Sequence, residues 1–197
     1  MLTDTQICNM ALSEIGEKSI AALTEASENG RRCNQFYDHA RKMVLAAHNW
    51  GFAKVRATLV EVSGETAEGW DYLYLYPPKC LMVRKVFNVT TIIDPRLQKH
   101  EIMLSPVTLQ RAIATDDEDA YVEYTADVSD TTMFSVVFVQ ALVFTLASLL
   151  APKLTGSDQK ALTLLQMADR EISRATANDA QENRNPPDAQ STYLDAR

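Results

Sequence analysis

Glycine is scarce in this chain. Six occur in 197 residues, and none falls in a GxGxxG or GxxxxGKS/T pattern. That removes the two glycine-rich loops that cradle nucleotide phosphates. Histidine is scarcer still, with His39, His48 and His100 only, and neither HExxH nor CxxC occurs. Neither common zinc arrangement is therefore present. No serine sits in a GxSxG elbow, and the acidic residues are too scattered to single out a general acid and base. The three cysteines, Cys8, Cys33 and Cys80, are odd in number and widely spaced, which is no disulfide scaffold. Cys8 and Cys33 fall on apolar helical faces, where a thiol acts as a small hydrophobe. A reducing compartment at synthesis follows. The first residues hold no basic region followed by an apolar stretch, so no signal peptide is expected.

Positive charge is also thin. The formal charge is −7, no Lys/Arg run exceeds two, and there is no basic tail. This is the wrong footprint for gripping a nucleic-acid backbone. It suits a wall that DNA slides past under like-charge repulsion. What the chain does have is an ordinary soluble composition, 46% hydrophobic and 23% charged. Its length fits one domain, or one domain with an appendage, and buries roughly 70% of its extended surface. One run, Thr131 to Pro152, carries no charge for about a membrane thickness. Ser135, Gln140, Thr145 and Ser148 interrupt it and no basic cluster flanks it, so a helix buried on most sides is the better reading.

Along the chain, Thr3 to Gly16 reads as a helix, with Thr3 and Gln6 in capping-box positions and Gly16 at its left-handed end. A loop follows, anchored by Leu23. A second helix runs from Ser27 or Asn29 to His48, with Cys33, Phe36, Tyr37, Ala40, Met43, Val44 and Ala47 as its apolar stripe and Arg41 on another face. Trp50 and Phe52 fold back onto the helices. Strands are expected at 57–62, 72–76, 81–89, 100–104 and 120–124, forming a small antiparallel or barrel-like region with long loops. In Tyr72 to Tyr76 both faces carry bulk, so a neighbouring subunit is one candidate cover. A core helix from Thr132 to Ala151 comes next, then a linker from Pro152 to Gly156. Ser157 caps a last helix to Asn178 with the stripe Ala161, Leu165, Ala168, Ile172, Ala175. Residues 181–197 are polar, with Pro186, Pro187, Tyr193 and Leu194 as the only anchors: a loose tail, or an arm that orders on a partner.

The sharpest charge feature is Asp116, Asp117, Glu118 and Asp119, followed by Glu123, Asp127 and Asp130. The first four lack the spacing and glycine of a calcium loop. They read as a solvated loop or, in an assembly, as a channel or interface wall that repels DNA. His39 and His48 lie nine apart on one helix, about 180° out of phase, and share no ligand. Tyr72 to Tyr76 with Lys79, Arg84 and Lys85 lacks the interleaving of a base-stacking platform. No metal or cofactor is expected.

The segments ICNMALSEIG (Ile7 to Gly16) and NGRRCNQFYDHARKMVLAAHNWGFA (Asn29 to Ala53) resemble the opening of the head-to-tail adaptor family of tailed bacteriophages, which includes the tail tubular protein A group. There a short helix ends at IG and a long helix closes on a Trp with an aromatic two residues on, here Gly16, Trp50 and Phe52. YLYLYPPKCLMVRKV (Tyr72 to Val86) is similar to the family's strand, Pro-containing turn and strand. FVQALVFTLASLLAPKLTGSDQKALTLLQMADREISRA (Phe138 to Ala175) is similar to its final helix pair. The resemblance implies a non-catalytic virion protein at the head–tail junction, made in the host cytoplasm. It implies a homo-oligomeric ring of twelve copies, with the portal above and a nozzle or other tail protein below. DNA passes through without sequence-specific binding, and no membrane insertion is implied. It further implies that the C-terminal segment holds the portal, with Pro186, Pro187, Tyr193 and Leu194 as anchors.

The expected fold is therefore α+β and mainly helical. Residues 1–56 and 131–180 form a four-helix bundle, 57–130 a β-rich insertion and 181–197 an extended arm. The alternatives are another ring component of a long-tailed phage neck and a non-catalytic helical binding module of prophage origin.

Overall fold

The first helix, α1 (Asp4–Ile15), is built from local signals. Thr3 Oγ1 accepts the Gln6 amide at 3.2 Å, and Gln6 Oε1 accepts the Thr3 amide at 2.8 Å. Two amides that a helix start leaves without partners are thereby satisfied. Gly16 ends the helix at φ +83°, where its N–H reaches Leu12 and Ser13 carbonyls. Ile7, Cys8, Ala11, Leu12 and Ile15 are buried along one face. A computed structural model of the chain describes residues 2–62, 64–88 and 99–182.

Helix α2 (Glu28–Ala47) starts at Ser27, whose Oγ accepts the Gly30 amide at 3.1 Å. Cys33, Tyr37, Ala40 and Val44 are buried as expected, and Leu45 joins them. The rest of the stripe differs. Met43 is 40% exposed, Ala47 is exposed, and Arg41 is buried. A charged residue occupies the inward face because carboxylates there pair with it. After α2 the chain turns on Trp50, which is 3% exposed and donates its indole N–H to the Val44 carbonyl at 2.7 Å.

Six strands follow: β1 (Lys54–Thr58), β2 (Tyr72–Leu75), β3 (Cys80–Asn88), β4 (His100–Leu104), β5 (Arg111–Thr115) and β6 (Ala120–Ala126). They make two antiparallel sheets, ordered β1-β6-β3 and β2-β5-β4. The expected strand at 57–62 is split between them. Leu59 N–H still bonds the Ala120 carbonyl in the first sheet, whereas Val60 and Val62 already bond Leu75 and Leu73 in the second. The sequence pattern predicts no strand at Arg111–Thr115, yet β5 is the centre of its sheet. Ala112, Ile113, Ala114 and Thr115 are at most 1% exposed. Alanine has little intrinsic strand preference, so pairing on both sides and burial decide this segment. Tyr74 and Ile113 from one sheet pack with Val86, Val122 and Tyr124 from the other, and the two sheets share that core.

The chain then returns through a short 3₁₀ turn at Thr131–Met133 to α3 (Val136–Leu154), capped by Ser135. Its start lies four residues beyond the expected one. Pro152 does not open a linker but lies in the last turn of α3. A proline there forfeits only its own amide bond, and the helix needs just one more turn. By length and apolar composition α3 is able to cross a membrane. In this fold α1, α2 and α4 (Asp158–Glu182) all pack on it. Phe138, Leu142, Leu146 and Leu150 are fully buried. On α4 the buried positions are Leu164, Ala168 and Ala175, with Ala161 and Ile172 half-buried. Leu165, expected inside, is 41% exposed. The architecture is mixed α+β: four helices and two small antiparallel sheets among the described residues.

Candidate interaction surfaces

Three polar joints fix the β region on the helices. The first is Arg84. Strand β3 is irregular against β6 between Val83 and Lys85, and Arg84 is left without a Cα partner. Such a bulge re-aims a side chain. The Arg84 guanidinium donates to Thr125 Oγ1 at 2.8 Å and to the Ala46 and His48 carbonyls, each at 2.8 Å. Helix α2 has no basic residue in its last turn, so a strand supplies the cation its carbonyl end calls for. Burial pushes the Arg84 guanidinium below its ordinary pKa.

The second joint is Arg41, 3% exposed. It donates to Asp127 and to the Val128 carbonyl, and to Asp38 Oδ1 at 2.6 Å. Burial by itself would lower its pKa, and the two carboxylates outweigh that and raise it. The third is Glu123, 2% exposed, whose carboxylate accepts from Arg56 Nε at 2.8 Å and Asn49 Nδ2 at 3.0 Å. Burial acts to raise its pKa, while Arg56 and Asn49 overcome this and hold it below the ordinary 4.5. A depressed carboxylate contributes stability above 4.5 and loses it as pH falls through the lower folded value. Glu123→Gln is therefore expected to cost about 1–2 kcal/mol at pH 7. It should also flatten the acid limb of stability below pH 4.5, read by urea melts across pH. Parallel acid limbs in the two proteins would remove Glu123 from the account.

The acidic stretch is thus two things. Glu123, Asp127 and Asp130 are structural: the first two as above, and Asp130 Oδ1 takes the Thr132 amide at 2.9 Å. Asp116, Asp117, Glu118 and Asp119 form the β5–β6 turn. Its backbone is pinned by Tyr74 Oη to the Asp117 carbonyl (2.8 Å) and Asn88 Nδ2 to the Glu118 carbonyl (3.0 Å). Asp116, Glu118 and Asp119 face solvent. Among the described residues no group of three metal-ligating side chains comes together. His39 is exposed on α2, His48 lies 3.1 Å from Thr176 Oγ1 and edge-on to Trp50, and His100 is in β4. Pro186, Pro187, Tyr193 and Leu194 lie outside the described residues.

Two exposed apolar features were not legible as sites. One is a cleft of about 360 Å³ between α2, α3 and α4, lined by Met43, Leu149, Ala161, Leu162 and Leu165. The other is the end of β4 and the β4–β5 connection, where Leu104, Val107 and Leu109 are 58%, 72% and 72% exposed. Exposed leucines scattered along a chain signal nothing by themselves; their clustering does. Comparison with protein-family models and with curated proteins returns no match.

Proposed function

We propose that the chain is the ring-forming adaptor between the portal and the tail of a tailed bacteriophage. Its helices close into one bundle that builds the ring wall. The chain extends the DNA channel, and its C-terminal segment reaches the portal. The observation that carries this reading is the meeting of the two segments that resemble the adaptor family. Ile7, Leu12 and Ile15 from the first share one core with Cys33, Val44 and Trp50 from the second. Phe52, two residues after Trp50, lies 5.1 Å from the Phe138 ring, which opens the segment similar to the family's final helix pair. Exposed apolar surface on both the helices and the β region supports contact between identical copies, each using two different faces as a ring requires.

The test is the symmetry of the purified particle, by electron microscopy and native mass spectrometry, alone and with the portal protein of the same phage. A closed ring of twelve copies on the portal is the expected result. Removal of residues 182–197 should leave ring formation intact and weaken portal binding. A chain that stays a monomer or dimer even with portal present would instead mark a helical binding module and end this reading.

A further inference from the structure

Two polar contacts set helices α1 and α2 antiparallel in one register. At the start of α1, Tyr37 Oη donates to Asp4 Oδ1 at 2.9 Å. Just past its other end, Asn29 Nδ2 donates to the Lys18 carbonyl at 2.9 Å and to Glu17 Oε2 at 3.4 Å. Residues four apart lie one turn apart on the same helix face. One turn on from Asp4 is Cys8, and one turn back from Tyr37 is Cys33. The register therefore sets the two cysteines opposite each other. Both are 0% exposed in one core cluster, and their thiols hydrogen-bond to each other. Neither is in a disulfide. A disulfide needs sulfurs about 2 Å apart and Cα atoms roughly 4.4–6.8 Å apart, so short side chains facing across a helix pair are placed to close one.

The two sulfurs are not equivalent. The hydrogen bond from Cys8 holds the Cys33 thiol below its ordinary pKa, against the effect of burial. The same bond, with burial, pushes the Cys8 thiol up. Cys33 is thus the attacking sulfur and Cys8 the resolving one. Cys80 packs in the β region, away from this pair.

We propose that Cys8 and Cys33 are a modification site, a dithiol that a small oxidising disulfide converts into a covalent link between α1 and α2. The Cys33 thiolate attacks one sulfur of the reagent, whose other half leaves as a thiolate. The Cys8 thiolate then attacks the Cys33 sulfur of the mixed disulfide, forming Cys8–Cys33 and expelling the second half. The protons of Cys8 and Cys33 go to the two departing thiolates, so two protein thiols are oxidised and one small disulfide is reduced. Both sulfurs are buried, and the reagent enters when α1 lifts locally from its neighbours. In a reducing compartment the pair stays as thiols; outside one, the link fixes the first helix on the second. The site goes beyond the adaptor reading and does not depend on it.

The test uses the full chain in a Cys80→Ser background, with oxidised glutathione as the probe. The expected product is a single chain that has lost two hydrogens and retains no glutathione, with Cys8 joined to Cys33 by peptide mapping. Closing a loop of this length should raise the melting temperature by about 10 °C. Dithiothreitol should reverse the rise. Cys8→Ala in the same background should keep one glutathione on Cys33 and show no rise. The shift compares one chain in two redox states, so it stands even if Cys8→Ala folds poorly. Two retained glutathiones, links between chains, or two thiols still titrating after prolonged exposure just below the urea transition would overturn the site. So would a link that fails to raise the melting temperature, because it would have closed across a different register.

Discussion

Phe138→Ala is expected to destabilise the fold by about 3–5 kcal/mol, the usual cost of emptying a large aromatic site in a core. Phe138 is fully buried at the start of α3. Its ring lies 5.1 Å from Trp50 at 86°, 5.1 Å from Phe52 at 78° and 4.6 Å from Phe134. Edge-to-face pairs of this geometry add to plain burial. The four rings come from two distant stretches, 50–52 and 134–138, so their cluster closes the β region's entry and exit together. In a chain of this length the loss corresponds to roughly 10 °C in melting temperature. Calorimetry checks it, with Phe138→Leu as the milder control. A loss below about 1 kcal/mol would show that the neighbours refill the site, against the close packing expected of such interiors.

Arg84→Met is expected to cost about 3 kcal/mol, at the upper end for hydrogen bonds made by a charged group. Methionine keeps the apolar stem and removes every donor. The Ala46 and His48 carbonyls at the end of α2 then lose their cation, and Thr125 Oγ1 loses a partner. Denaturant melts give the magnitude. Hydrogen exchange gives the location: faster exchange in the last turn of α2 and in β6, with α1 unchanged. Uniform acceleration across all helices would mean a global loss of stability and no joint at that point.

The helices were the legible part, because their signals are local. Thr3, Gln6 and Gly16 announce both ends of α1 within fourteen residues, and each does in three dimensions what its spacing suggests. Trp50 was readable too, since a large aromatic just past an amphipathic helix has one good place to go. Errors clustered where partners are far apart in the chain. Strand β5 is Arg-Ala-Ile-Ala-Thr, with weak strand preference, and becomes a strand because β2 and β4 flank it. Arg41 looked like a solvent residue until Asp127, 86 positions away, reached it. Leu164 and Leu165 are adjacent, and periodicity chose the wrong one, because the face of α4 that turns inward is set by how α3 crosses it.

The acidic run shows the same limit. In sequence Asp116 to Asp130 is one charge feature. In space it divides into a solvated turn and three carboxylates that each satisfy a specific donor.

By itself, then, the sequence determined which stretches are helical, where α1 ends, that the uncharged run from Thr131 to Pro152 holds most of the core helix, and that phosphate-loop, zinc and nucleophile-elbow motifs are missing. These follow from near-neighbour chemistry and apolar spacing. Only the tertiary structure decided which arginines are internal, how the six described strands divide between two sheets, and that an apolar β4–β5 connection and an apolar cleft among the helices are left exposed. Burial and exposure belong to pairs of surfaces, and a surface exists only once distant segments have met.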